Sequence, residues 1–258
     1  MLLENKVAVI YGAGGSIGGA VAKSFANEGA RVFFTGPHKA SVWAVAQDCG
    51  GEPAEVDALD ECAVERHLAS VVEKTGRIDI SFNAVGIPNK KLLGVPLVEM
   101  DAEAFFLPIS AYLKSWFLTS RLAARHMIKQ KSGVLMRITA LHSRTGLPLV
   151  GGYGPAMAAQ EALTRQLSAE LAPQGIRVVG LRPQAIPDSR TIKDAYEPRA
   201  KATGMTWDQW QDYLASKTHP RRLMTLDEVA NMAVFMASDR ASGMTGTIVN
   251  MTMGSLDD

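Results

Sequence analysis

The chain has 258 residues, of which 47% are hydrophobic and 21% charged, and its formal net charge is +1 at pH 7. This composition is typical of an ordinary globular protein and excludes a disordered chain. The weak net charge provides no field that would recruit nucleic acid or an anionic membrane, so we expect neither as a partner.

The first forty residues predict a strand, a turn, a helix and a second strand. An apolar run over 6–11 is followed at once by glycines at positions 12, 14, 15, 18 and 19, and a helical stretch then reaches Glu28. Residues 31–35 predict the second strand. Glycines between a strand and a helix let the backbone approach a pyrophosphate, which the free amides of the helix start can bind.

The same alternation continues to the end of the chain. Helices are predicted near 39–48, 60–75, 99–130, 153–172 and 226–238, and strands near 52–56, 78–82, 133–139, 176–182 and 246–251. Strands that alternate with helices of this length imply a parallel sheet covered on both faces. We therefore predict an α/β fold, a doubly wound parallel sheet of the Rossmann type, with residues 1–258 as a single domain.

Residues 187–220 interrupt the alternation, because they contain no strand pattern. A capping box at 206–209 predicts the start of a short helix, with Met205 and Trp210 placed for a hydrophobic staple. One face of that helix would carry Trp207, Trp210, Tyr213 and Leu214. The segment is a candidate substrate lid, since ligands of open α/β sheets bind beyond the carboxyl ends of the strands; a helical flap packed on the core is the alternative.

Neither a targeting segment nor a metal site is predicted. No apolar run is long enough to cross a membrane, and the N-terminal residues lack the pattern of a signal peptide, so we expect a cytoplasmic protein. The two cysteines, Cys49 and Cys62, have no disulfide or zinc-binding spacing. We expect them to be buried free thiols.

Several motifs occur at matching points of the alternation. Gly12-x3-Ser16-Ile-Gly18 follows the first strand, Asp57 the third and Asn83-Ala-Val-Gly86 the fourth, while Tyr153 begins a long helix and Pro183 follows the sixth strand. In this order the motifs resemble those of the short-chain dehydrogenase/reductases. The resemblance includes 222–230 and 238–246 and therefore runs from end to end.

The resemblance implies a binding site for NAD(P). Gly12, Ile17 and Gly18 would border the pyrophosphate together with Gly14, Gly15 and Ser16. Asp57 and Ala58 would face the adenine, with a helix cap or loop acid as the alternative for Asp57. The remaining cofactor residues would be Asn83, Ala84 and Gly86 beneath the adenosine ribose, and Pro183 and Ile186 beside the nicotinamide.

The end of the second strand bears on the choice of dinucleotide. An acid there would bind the ribose 2′-hydroxyl of NAD, whereas this sequence reads Thr35-Gly-Pro-His-Lys39. His38 and Lys39 could neutralise a 2′-phosphate, so NADP is favoured over NAD. A solvated helix start explains Lys39 equally well.

The resemblance also implies that Tyr153 is the general acid or base, but most of its expected partners are replaced. Ala140 and Met157 stand at the positions of the family's serine and lysine, and Tyr112 at that of its asparagine. Without a cationic neighbour, the pKa of a tyrosine stays near its reference of about 10. A neutral phenol donates a proton but is a poor base, so the sequence favours reduction.

Other basic residues lie near the same end of the predicted sheet. His142 could donate to a substrate oxygen and titrates near neutrality; a loop histidine bonded to backbone or water is the alternative. For Lys114, Arg137 and Arg182 a surface or structural role is favoured. Met157 is interpreted as an apolar filler.

Two functions are consistent with these residues. The first is an NAD(P)H-dependent reductase of a small carbonyl or activated alkene, with Tyr153 as the proton donor. The alternative is a non-redox use of the fold, either a dinucleotide-binding regulatory or partner subunit or a cyclase or isomerase. The resemblance further implies a homo-oligomer, a dimer or tetramer, packed through helices 99–130 and 153–172.

Overall fold

The computed structural model describes residues 1–87 and 93–257, apart from the side chains at positions 190, 191, 194, 195 and 198. Its strands form one parallel sheet in the order β3-β2-β1-β4-β5-β6-β7. The strands are β1 (Val7–Tyr11), β2 (Arg31–Gly36), β3 (Glu52–Glu55), β4 (Ile80–Asn83), β5 (Gly133–Ile138), β6 (Ile176–Pro183) and β7 (Thr247–Met251). This is the doubly wound sheet that the sequence predicted.

Helices connect the strands and cover both faces of the sheet. They are α1 (Ser16–Asn27), α2 (Lys39–Gln47), α3 (Glu61–Thr75), α4 (Ala102–Gln130), α5 (Tyr153–Leu171), α6 (Arg190–Ala202), α7 (Trp207–Ser216) and α8 (Leu226–Ala237). Most bounds agree with the sequence prediction to within a few residues, because the alternation of short apolar runs with longer amphipathic segments is strong.

Two apolar cores form because successive strand residues face opposite sides of the sheet. In β1, Ala8 and Ile10 belong to the core that α1 and α8 cover. Val9 and Tyr11 belong to the core beneath α3, α4 and α5. Each core is one cluster of buried apolar residues that joins the sheet to the helices on that face.

The segment between β6 and α8 contains two helices where the sequence predicted one. The missed helix is α6, whereas α7 begins at Thr206 with the predicted capping box. Met205, Trp207, Trp210 and Leu214 pack in one apolar cluster, as expected. Tyr213 was assigned to the same buried face, but 41% of it is exposed.

Three further observations bear on expectations from the sequence. Both cysteines are free, but Cys62 is exposed and Cys49 only half-buried, so the expectation of two buried thiols was wrong. None of the helices in the described part of the chain has the length and apolarity needed to span a bilayer. Among the described residues, no cluster of three or more His, Cys, Asp or Glu side chains could hold a metal ion.

Candidate active site

A cleft of about 670 Å³ opens at the carboxyl edge of the sheet, within the size range of small-molecule and cofactor sites. It is lined by the glycine loop after β1, the ends of β4, β5 and β6, the start of α5 and one side of α6. The predicted site residues that line it are Gly12, Gly14, Gly15, Ser16, Ile17, Gly18, His38, Ala84, Gly86, His142, Tyr153, Pro183 and Ile186. The fold therefore brings together most of the residues that the sequence singled out.

The glycine loop leaves no room for side chains at two positions. Gly12 has φ of +77°, and a Cβ there would lie 2.5 Å from the carbonyl oxygen of Ala84. A Cβ on Gly18 would lie 2.3 Å from the carbonyl oxygen of Gly12. These close approaches let the backbone form a shallow surface at the start of α1 instead of a wall of side chains.

The start of α1 is suited to an anion. Gly15 is its N-cap residue, and no side chain caps the helix. The first amides of a helix point outward and carry a partial positive charge, so they bind phosphate readily. With the glycine surface beside them, these amides fit the pyrophosphate of a dinucleotide.

The side chains near the end of β2 divide into two groups. Pro37, His38 and Ser41 line the cleft, and no carboxylate does so among the described residues. Lys39 instead lies with its Nζ 5.0 Å from the ring centroid of Trp43. Lys39 is therefore held along α2 and is absent from the lining.

Three other predicted cofactor residues lie outside the lining. Asp57 is exposed, and its Oδ1 accepts from the amide of Leu59 at 2.9 Å, while Ala58 beside it is buried. Asn83 is fully buried, donates through Nδ2 to Thr119 Oγ1 at 3.0 Å and accepts from the amide of Val85 at 3.1 Å. Asn83 thus ties the end of β4 to α4 beneath the cleft.

Tyr153 stands at the first position of α5, partly exposed at the cleft. Its ring meets that of Tyr112 edge-on at 5.8 Å and that of His142 at 5.2 Å. Met157, which is 2% exposed, packs with Tyr112, Ala156 and Ala140 in a small apolar cluster around it. Met157 therefore fills space beside Tyr153, as the sequence suggested.

Arg137, to which the sequence analysis assigned a surface or structural role, is a cation close enough to affect Tyr153. It lies on β5, is 1% exposed and lines the cleft. Its Nη1 donates to Asn83 Oδ1 at 3.0 Å, and the guanidinium lies 5.7 Å from the ring centroid of Tyr112. Among the described residues it has no carboxylate partner, and its Nε has no hydrogen-bond partner. An arginine in the middle of an apolar strand was the signal available in the sequence.

Burial and the charge of Arg137 shift the pKa of Tyr153 in opposite directions. Burial raises the pKa of Tyr153 well above its usual value, the neighbouring tyrosines raise it further, and the Arg137 guanidinium lowers it. Burial also lowers the pKa of Arg137 to about 9. The phenol is neutral at physiological pH, as predicted, but the expectation that it has no cationic neighbour and a reference pKa was wrong.

His142 lies on a short 3-10 turn, Leu141–Ser143, and is 5% exposed. Its Nε2 is 3.4 Å from the hydroxyl of Tyr196, and its Nδ1 has no hydrogen-bond partner among the described residues. Burial lowers the pKa of His142 to about 4, so the expectation that it titrates near neutrality was wrong. At neutral pH it is an uncharged imidazole beside Tyr153.

A buried ion pair fixes the turn that carries His142. Arg182 Nη2 lies 2.9 Å from Glu161 Oε2, with both side chains at most 4% exposed. Glu161 Oε1 also accepts from Thr139 Oγ1 at 3.0 Å and from Ser143 Oγ at 2.6 Å. Arg182 is therefore structural, and Lys114 is exposed, as the sequence suggested.

Comparison with known proteins assigns the family. The family model described as enoyl-(acyl carrier protein) reductase matches residues 12–255. The 3-oxoacyl-[acyl-carrier-protein] reductase of Thermotoga maritima is 30% identical over 98% of this chain and 99% of its own. The chain belongs to the short-chain dehydrogenase/reductase family.

Further relatives of this short-chain dehydrogenase/reductase are also oxidoreductases. The (+)-borneol dehydrogenase 2 of Salvia officinalis is 28% identical over 95% of this chain and 87% of its own. The crystal structure of an NAD⁺-bound xylitol dehydrogenase superposes with a TM-score of 0.90 at 25% identity, covering 98% of this chain and 100% of the other. The chain therefore belongs to a family of oxidoreductases that use NAD(P) and act on small molecules.

Proposed function

We propose that the protein is an NAD(P)H-dependent reductase of a small carbonyl or activated alkene, with Tyr153 as the proton donor. The observation that carries the proposal is a single cleft shared by the uncapped glycine loop and Tyr153. When bound, the nicotinamide cofactor supplies hydride, and the loop at 12–18 would hold its pyrophosphate. Pro183 and Ile186 would border the nicotinamide.

The chain's own chemistry in this reaction is proton transfer. As hydride adds to a carbonyl carbon, the π electrons move to the oxygen, which takes the proton from Tyr153 Oη. An alkoxide is a far stronger base than a phenolate, so the transfer is downhill even from a phenol whose pKa is raised. The positive charge of Arg137 stabilises the phenolate that remains until solvent reprotonates it.

The same groups favour reduction over oxidation. Oxidation of an alcohol needs Tyr153 as a base, and the raised pKa leaves almost no phenolate at neutral pH. His142, uncharged and next to Tyr153, can orient a substrate oxygen through a ring N–H. We therefore assign Tyr153 as catalytic and His142 as a substrate contact.

Substitution of the proton donor tests the proposal. Tyr153→Phe should lower kcat for ketone-dependent NAD(P)H oxidation by roughly 10²- to 10⁴-fold, the usual contribution of a general acid. Cofactor affinity, measured by fluorescence titration, should not change. Tyr213→Phe, at an exposed tyrosine outside the cleft, is the matched control. A Tyr153→Phe enzyme with wild-type turnover would refute the assignment.

For the cofactor, we propose NADP over NAD. No carboxylate among the described lining residues lies near the end of β2 to repel a 2′-phosphate, and His38 is available there. Asp57, Ala58 and Asn83 remain proposed members of the adenosine end, close behind the lining. Side-by-side titrations with NADPH and NADH decide between the two dinucleotides.

We also propose a cytoplasmic homo-oligomer, a dimer or tetramer. Phe106, Leu107 and Phe117 on α4 are 57%, 52% and 41% exposed, an apolar surface that a second copy could cover. Light scattering on the purified protein measures the mass of the oligomer.

We propose residues 187–220 as the substrate lid, because α6 and its N-cap residue contribute Ser189, Ile192, Tyr196 and Arg199 to the cleft.

A further inference from the structure

The described lining of the cleft carries basic side chains and no carboxylate. Its charged and titratable basic members are Arg137, Arg199, His38 and His142. Taking a guanidinium out of water is costly unless an opposite charge or several hydrogen bonds compensate. Two buried arginines line this cleft, and neither has a carboxylate partner among the described residues.

Arg199 lies on α6 and is only 7% exposed. Its guanidinium is 5.6 Å from the ring centroid of Tyr196 and 5.3 Å from that of Trp210. These aromatic faces attract the cation, but they do not accept its N–H donors, and no described residue does so. No ion pair joins Arg199 to any carboxylate of the described chain.

Two other buried arginines near the carboxyl edge of the sheet have partners within the protein that compensate for the loss of water. Arg182 forms an ion pair with Glu161 and donates to Ser143 as well. Arg137, which also lines the cleft, donates to Asn83. Among the described residues Arg199 has neither kind of partner, although it too lines the cleft.

We propose that Arg199 binds an anionic group, a carboxylate or a phosphate, carried by the substrate whose carbonyl lies at Tyr153. The planar guanidinium presents paired N–H donors that match both anions bidentately. The pyrophosphate of the cofactor is not this anion, because Arg199 packs in the aromatic cluster of α6 and α7 rather than at the glycine loop. The identity of the reaction rests on the proposed function, but the anion site does not.

A series of side-chain contacts connects the proposed anion site at Arg199 with Tyr153. The Arg199 guanidinium faces Tyr196, the Tyr196 hydroxyl reaches His142, and the His142 ring contacts Tyr153. The anion and the carbonyl would therefore be separate groups of one molecule, with Tyr196 and His142 between their binding sites. An oxo acid or a phosphorylated ketone has this chemistry.

Binding of matched probe pairs tests the proposal without turnover. Levulinate and methyl levulinate form one pair, and dihydroxyacetone phosphate and dihydroxyacetone the other. Calorimetric titration of the cofactor-saturated protein should give at least one anion a Kd roughly 10- to 100-fold lower than that of its neutral partner. Which anion binds more tightly distinguishes a carboxylate from a phosphate.

Substitution of Arg199 locates the site. Arg199→Gln should remove the anion preference and leave binding of the neutral probes unchanged, whereas Arg199→Lys retains the charge and part of the preference. Lys201→Gln, at an exposed lysine of the same helix, is the matched control. Melting temperatures of all variants show whether α6 and α7 still pack.

The outcomes separate this proposal from the proposed function. Anions that bind no better than neutral probes, or a preference that survives in Arg199→Gln, overturn the anion site even if Tyr153→Phe abolishes turnover. An Arg199-dependent preference supports the site even if no reduction is observed, in which case the proposed reaction is wrong and the binding chemistry stands.

Discussion

At the scale of single residues, the candidate site places one buried cation, Arg137, near one partly exposed phenol, Tyr153. Met157 and Ala140, which the resemblance aligns with the family's lysine and serine, surround Tyr153 with apolar surface. Arg137 introduces a positive charge from a different element, the strand β5. In the proposed reaction, the electrostatic support of the phenolate therefore comes from β5 rather than from α5.

The sequence predicts, from the spacing to Tyr153, that Ala140 and Met157 replace the family's serine and lysine. It also placed Arg137 near the same end of the sheet, but assigned it a surface or structural role. Tyr196 and Arg199 share the cleft with Tyr153 only through the fold, so spacing gave no sign of them. Their burial, which gives them their chemistry, is a property of tertiary packing.

The Glu161–Arg182 pair provides a prediction about stability. Glu161→Gln removes the carboxylate that pairs with the buried Arg182 guanidinium, and breaking such a pair from one side costs about 3–5 kcal/mol. We expect a loss of this order in the free energy of unfolding, measured by urea denaturation. Glu170→Gln, at an exposed position of the same helix, should change it by less than ~0.5 kcal/mol. Equal effects of the two variants would contradict a special role for the buried pair.

At the scale of elements, the loop between β1 and α1 is the part most fully determined by sequence. Gly18→Ala would place a Cβ 2.3 Å from the Gly12 carbonyl oxygen, so the loop must shift. We expect NADPH affinity, measured by fluorescence titration, to fall at least tenfold, with a lower melting temperature. Gly243→Ala, where a Cβ has nothing within 4 Å, is the control and should retain affinity. Unchanged affinity in Gly18→Ala would argue against binding at this loop.

The helices and strands that the sequence predicted have a stronger apolar pattern than the helix that it missed. Strands and helices next to the two cores carry strong apolar periodicity, and α7 and α8 begin at capping boxes that can be read directly. Helix α6 has a low content of apolar residues and a proline at position 198, so its sequence was not recognised as a helix. Its few apolar residues, Ile192, Tyr196 and Ala200, pack in the aromatic cluster.

At the scale of the whole molecule, the buried His142 and the half-buried His67 make the fold sensitive to acid. Burial lowers the pKa of both His67 and His142 to about 4. Their unfolded pKa is about 6.5, so between these values the unfolded chain binds more protons than the native protein. Stability is therefore constant above pH ~6.5 and decreases as the pH falls towards 4.

The pH dependence of the free energy of unfolding tests this effect of the histidines. For His142 alone, the free energy of unfolding should fall by about 2 kcal/mol between pH 7 and pH 5. His142→Asn removes the titrating group, so urea denaturation of this variant should show a correspondingly smaller decrease over the same interval. An identical decrease in wild type and variant would show that His142 is protonated in the native state.

The packing of α1 against α8 determines when α1 becomes buried during synthesis of the chain. Helix α1, which leads out of the glycine loop, buries Val21, Ala22 and Phe25 in the same core as Val229 and Ala233 of α8. While the ribosome has not yet released residues 226–237, that face of α1 has no cover. The nascent chain therefore carries an exposed apolar helix until synthesis is nearly complete, and a fragment ending before α8 should aggregate instead of folding into a small nucleotide-binding unit.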